Sequence, residues 1–153
     1  MIPLPLLQQR EIEAAAIAPL VRAFAKEVGE ERAMAILTDA IGELAHQSGC
    51  AAAAAVGGND LAHFKMAIER WKAGGALEFE VLRDDAEAFE FNVIRCRYAE
   101  MYRRLGLEKF GPILSCSRDA EMIEGFNPEI GFTRTQTLME GASHCDFRYR
   151  RGS

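Results

Sequence analysis

The sequence predicts an α+β domain: amino-terminal helices, then a four-stranded, mostly antiparallel sheet with helices packed on one side. Three observations carry this. Apolar residues recur every three or four positions from Glu11 to Trp71. At Leu77 the period changes to two and holds through a hairpin. Two more alternating segments close the chain.

In the first helix, Ile12, Ala16, Leu20, Phe24 and Val28 repeat every four residues, and Ile17 and Val21 widen the stripe. This predicts a helix that packs its stripe against the rest of the domain. Pro19 is expected to kink or divide it, and Gly29 to end it. A second helix carries Met34, Leu37, Ile41 and Leu44 and packs antiparallel to the first. The stretch "GCAAAAAVGG" reads as a flexible break because of its closing glycines. Asn59 is expected to cap a third helix bearing Leu61, Phe64, Ile68 and Trp71, which "AGG" stops.

"LEFEVL" and "AFEFNVIRC" read as a hairpin turned by Asp84 and Asp85. Phe89, Phe91 and Val93 share one face, and Glu90, Asn92 and Ile94 the other. "CRYAEMYRRLG" continues as a helix, and the region holding Pro112 as two short helical pieces. "IGFTRTQTLME" and "SHCDFRYR" read as the last two strands, joined at Gly141. Together these form one domain over residues 1–153, with a helical part at 8–73 and a sheet-and-helix part at 76–150.

The composition is that of an ordinary globular chain, 49% hydrophobic and 27% charged. A net charge of −5 and the absence of a basic stripe beyond "RYRR" argue against nucleic acid as a partner. No apolar run is long enough for a membrane span, and the start lacks the features of a signal peptide. A cytoplasmic setting is therefore expected, in which Cys50, Cys96, Cys116 and Cys145 remain thiols.

The candidate chemistry lies in the second half. Cys96 stands where the second strand becomes a helix, where the helix dipole favours a thiolate. Asn92 approaches it from the strand and Glu100 from the next helical turn. Cys116 and Asp119 form a C-x-x-D unit, with Ser117 a candidate cap. In the last strand Cys145 shares a face with Phe147 and Tyr149, while His144 and Asp146 share the opposite face with Arg148. Arg134 lies among apolar neighbours and needs an anion: Asp119, Asp146 or a ligand carboxylate. A Cys₃His metal site from Cys96, Cys116, Cys145 and His144 is disfavoured, since strand neighbours cannot easily share one ion. No metal or cofactor is expected.

The order "FNVIRCRYAEMYRRLG", "CSRD", "FNPEIGFTRTQTLMEGASHCDFR", with the helical start "REIEAAAIAPLVRAFAKEVGEERAMAIL", resembles the L-2-amino-thiazoline-4-carboxylic acid hydrolase family. The resemblance implies hydrolytic opening of a small cyclic amidine or related C–N ring to a carbamoyl-cysteine. That chemistry suits a thiolate nucleophile at Cys116 or Cys96 and a carboxylate at Asp119 or Asp146. An arginine, Arg134 or Arg97, would clamp the substrate carboxylate. Asn92, Glu100, Cys145 and His144 complete the candidate substrate-binding set. Cys116, with Arg118 beside it, ranks above Cys96 as nucleophile. The competing expectations are a non-catalytic module for a small ligand or metal, and a structural helper. A small-molecule substrate and a homo-oligomer built through the amino-terminal helices are the expected partners.

Overall fold

The computed structural model describes residues 3–152 and begins with two long helices, α1 (Leu6–Val28) and α2 (Glu30–Val56). They pack through a seam in which the small Ala14, Ala18 and Val21 of α1 meet Ala33, Leu37 and Ile41 of α2. The expected α1 stripe is not the buried one. Ile12, Leu20, Phe24 and Val28 are 49–61% exposed, because the alanine seam brings the two helices together on a different face. Pro19 does not divide α1: it lies on the exposed side, so the hydrogen bond it forgoes faces solvent.

The alanine-rich stretch is no break. It continues α2 to Val56, where Gly57 at φ 77° supplies the left-handed cap. Alanine favours helix, and the glycines act only after the last turn. The next helix is capped by Asp60 rather than Asn59, its carboxylate accepting the His63 N–H at 2.9 Å. It runs as α3 (Leu61–Ala67) and α4 (Glu69–Lys72), followed by a 3-10 turn at Ala73–Gly75.

Strands β1 (Leu77–Asp84) and β2 (Ala88–Cys96) form the expected hairpin. Asp85 fixes its turn by accepting the N–H groups of Glu87 and Ala88 at 2.8 and 2.9 Å. After α5 (Arg97–Arg104) a π-helical turn spans Pro112–Cys116, closed by the Ser117 N–H to the Pro112 carbonyl at 2.8 Å. Helix α6 (Arg118–Phe126), β3 (Gly131–Thr133), a 3-10 turn at Leu138–Glu140 and β4 (Cys145–Arg150) complete the chain.

The sheet is antiparallel throughout, in the order β1-β2-β4-β3. Val93 pairs with Cys145, Phe91 with Phe147 and Phe89 with Tyr149, which gathers the apolar positions on the helix-facing side. Phe91 and Phe147 stack at 4.9 Å between ring centres. The third strand is shorter than expected. Beyond Thr133 the Asp146 side chain takes the N–H groups of Thr135 and Gln136 at 2.8 and 2.9 Å, so the backbone leaves the ladder.

Helices α2 and α6 cross at two glycines. A Cβ on Gly49 would stand 2.0 Å from the Met122 carbonyl oxygen, and one on Gly125 2.0 Å from that of His46. This close crossing holds the carboxy-terminal half of α6 against α2. Two apolar clusters result. One lies between the sheet, α3 and α6, the other among α1, α2, α5 and the π-helical turn, and Leu77 and Cys96 pack against both. No helix among the described residues is long and apolar enough to cross a membrane.

Candidate functional site

A cavity of about 400 Å³ lies where the two apolar clusters meet, between the α1–α2 pair and the sheet. Ile17, Ile41, Trp71, Val93, Met122 and Phe147 make much of its wall apolar. Into that wall the fold sets a few polar groups, the usual character of a small-molecule site.

Asp119, in the first turn of α6, and Arg134, just after β3, form an ion pair there. Their side chains are 17% and 15% exposed. Arg134 also donates to the Cys116 carbonyl at 3.1 Å and lies over the rings of Phe147 and Phe132, 5.2 and 5.7 Å from their centres. Of the three anions considered from sequence, Asp119 is the one Arg134 meets. Burial pushes the Asp119 carboxyl up to about 6, and Arg134 opposes that rise without cancelling it. Burial alone would lower the Arg134 pKa, but the charge and hydrogen bond of Asp119, together with Cys116 and Tyr149, raise it overall.

Three thiols line the same cavity. Cys145 comes from the inner face of β4, and its sulfur accepts the Leu138 N–H at 3.2 Å. Cys96 caps α5, accepting the Ala99 N–H at 3.4 Å. Cys116 ends the π-helical turn. The expected thiolates are not favoured in the empty cavity. Burial raises Cys96 to about 11 and Cys116 higher still, with the Asp119 charge adding to the latter. Burial raises Cys145 as well. Desolvation exceeds what a helix terminus gives back. Nor does Ser117 cap α6, since its hydroxyl donates to the Ile113 carbonyl at 2.6 Å.

The other candidates lie elsewhere. Asp146 is on the outer face of the sheet, bound to Thr135 and Gln136. Its partial burial opposes ionisation, but the hydrogen bonds prevail and lower its pKa. Asn92, also on that face, accepts from Arg148 at 3.0 Å. Glu100 is exposed and pairs with Arg95 at 3.0 Å. His144 sits beside Gln136 and Ser143, outside the cavity. Arg97 is exposed and donates to the Gly74 carbonyl at 3.3 Å. Among the described residues no three His, Cys, Asp or Glu side chains are arranged to hold a metal ion.

The sequence reading missed Arg10 and Glu13, and took Arg118 only as a neighbour of Cys116. All three line the cavity. The i, i+3 spacing of Arg10 and Glu13 on α1 was the only available signal, and it also fits a solvated helix face.

A sequence model of the family described as L-2-amino-thiazoline-4-carboxylic acid hydrolase matches residues 9–149. The chain belongs to this family. Among solved structures, this member of the family is similar to the phenol-responsive sensory domain of the transcription activator PoxR, in a crystal structure with phenol. The TM-score is 0.56 at 15% identity, over 90% of this chain and 74% of that one. Such identity establishes a shared fold and no more. No curated protein matches the sequence.

Proposed function

We propose that the chain is a hydrolase that opens a small cyclic amidine such as an amino-thiazoline carboxylate, with Asp119 as general base and Arg134 as its buried counter-charge. One observation carries this reading: a buried carboxyl group paired with a guanidinium in a mostly apolar cavity, where burial raises its pKa to about 6. A base tuned near the working pH is what hydrolysis of an amidine requires. The family assignment supports the same reaction class.

In the proposed step the amidinium lies against ionised Asp119, held by charge-assisted hydrogen bonds. Asp119 takes a proton from water as the water oxygen bonds to the ring carbon between nitrogen and sulfur. The adduct is neutral. Its C–S bond then breaks, because a thiolate, whose conjugate acid has a pKa of about 8.5, leaves more readily than an amine anion. Sulfur takes the proton held at Asp119, and the adduct hydroxyl gives its proton to solvent as the carbonyl forms. Amidinium and water thus become a ureido group, a thiol and one released proton. The thiols of the protein serve here as weakly polar wall. Cys116 as nucleophile remains the covalent alternative, open to a substrate cation that lowers its pKa on binding.

A second reading has the cavity hold a small ligand without turnover. The apolar wall formed by Trp71 and Phe147 favours it, together with the structural likeness to a phenol-responsive domain. Incubating the protein with amino-thiazoline carboxylate, other cyclic amidines and phenol, with mass-spectrometric readout of each small molecule, separates the two. Gain of one water by a cyclic amidine supports hydrolysis. Saturable binding of every compound with unchanged masses supports the second reading.

A further inference from the structure

Arg10 and Arg118 reach the cavity from different helices and share one carboxylate, that of Glu13. Arg10 Nη1 donates to both Glu13 oxygens, at 2.9 and 2.8 Å. Arg118 Nη2 reaches Glu13 Oε2 at 3.3 Å, and its Nε donates to the Leu114 carbonyl at 2.7 Å. The two arginine side chains are only 14% and 11% exposed. A guanidinium has five N–H donors. Here Arg10 Nε and Nη2 and Arg118 Nη1 have no protein partner among the described residues.

The charges do not balance. Asp119 and Arg134 neutralise each other, whereas Arg10 and Arg118 together face the single charge of Glu13. One positive charge is left over in a largely desolvated wall, where a missing counter-ion is costly. Burial lowers the Arg118 pKa and the nearby Arg10 charge lowers it further, so the two cations strain against each other. Both also act on Asp119, which adjoins Arg118 in the chain. Arg10, Arg118 and Asp119 line one cavity of about 400 Å³, so a single small molecule can face both the surplus charge and the carboxyl group proposed as base.

We infer that Arg10 and Arg118 form an anion subsite that takes the carboxylate of the ligand, while the opposite end of the ligand faces Asp119. This deepens, and rests on, the reading of the cavity as a site for a carboxylate-bearing cyclic amidine. It also moves the clamp from the expected Arg134 or Arg97: Arg134 is already engaged by Asp119 and the Cys116 carbonyl, and Arg97 lies outside the cavity. The planar fork of either arginine suits a carboxylate, and the unused donors are ready for it.

The test is calorimetric titration with thiazolidine-4-carboxylate and thiazolidine-4-carboxamide, a pair that differs in charge and lacks the amidine. The wild-type protein should bind the carboxylate about 10-fold to 100-fold more tightly than the amide. Arg118→Gln and Arg10→Gln should each remove most of that preference by weakening the carboxylate far more than the amide, and Arg118→Lys should keep part of it. No wild-type preference, or an undiminished preference in both glutamine variants, overturns the subsite. Turnover of amino-thiazoline carboxylate by the same wild-type preparation is scored separately. Preference without turnover keeps the subsite and defeats the hydrolase reading. Turnover without preference does the reverse.

Discussion

Arg134 closes an ion pair with Asp119, fifteen residues earlier in the chain, and both side chains are more than four-fifths buried. The pair joins the sheet edge to the first turn of α6 and sets the charge state of the proposed base. Because Asp119 acts as base only when ionised, kcat/KM should fall about tenfold per pH unit below its pKa of about 6 and level off above it. Arg134 lowers the Asp119 pKa, so Arg134→Met should move this acid limb to higher pH. Removing one partner of a buried pair should also cost about 3 kcal/mol of stability. The pH–rate profiles of both proteins check this, and an unmoved limb would show that another group titrates.

The thiols give a second prediction, opposite to the one read from sequence. With Cys96 raised to about 11 by burial, fewer than about one molecule in a thousand carries that thiolate at neutral pH. In the ligand-free protein, Cys50, which is exposed, should label rapidly, and Cys96, Cys116 and Cys145 slowly. Cys116→Ser should keep activity within a few-fold. Rapid labelling of Cys116 below neutral pH, with loss of turnover in the serine variant, would restore covalent catalysis.

A third prediction concerns the α2–α6 crossing. Alanine at Gly49 or Gly125 places a methyl group 2.0 Å from a backbone carbonyl oxygen, and backbone cannot rotate aside. Each change should cost about 3 kcal/mol, the upper end for overpacking, measured as a lowered urea midpoint. Since the crossing anchors α6, whose first turn carries Arg118 and Asp119, ligand affinity should fall with it. A neutral effect on the urea midpoint would contradict so close an approach.

The exposed stripe Ile12, Leu20, Phe24 and Val28 predicts a homodimer through α1. It spans ~24 Å of helix and offers on the order of 500 Å² of apolar surface per protomer. With its polar margins this approaches the ~800 Å² per partner of a stable interface. Two copies related by a two-fold axis can each supply the same stripe. Light scattering at micromolar concentration should report a dimer, and Phe24→Lys should yield monomer with the fold intact. A wild-type monomer would refute the prediction.

The β1–β2 hairpin was legible because period two and a paired-Asp turn admit few other readings. Alternation grouped Phe89, Phe91 and Val93 on one face of β2 and Cys145, Phe147 and Tyr149 on one face of β4, and both prove to be the helix-facing side. Helix α1 was misread at the level of its face. Periodicity marks a stripe, but a seam of Ala14 and Ala18 packs more closely than a row of large residues, and its signal is weaker. The alanine-rich run was misread because the glycines that end a helix resemble those that break one. The site was partly legible. C-x-x-D placed Cys116 and Asp119 together, and the need of Arg134 for an anion was clear. Asp146 was taken for a candidate catalytic carboxylate because a carboxylate holding two backbone amides has no signature in the sequence. Arg10 and Glu13 join the cavity only through the packing of α1, which no local pattern encodes.

The rate of product formation in Asp119→Asn decides whether Asp119 is the base in the proposed hydrolytic ring opening. With L-2-amino-thiazoline-4-carboxylate as substrate and the hydrated product followed by mass spectrometry, wild-type protein should turn over. Asp119→Asn should lose at least about a hundredfold in kcat. Asp146→Asn, altered on the outer face of the sheet, is the control and should retain far more activity. Turnover by Asp119→Asn at the wild-type rate would rule out Asp119 as the base, and wild-type protein that binds the substrate and leaves its mass unchanged would rule out hydrolysis.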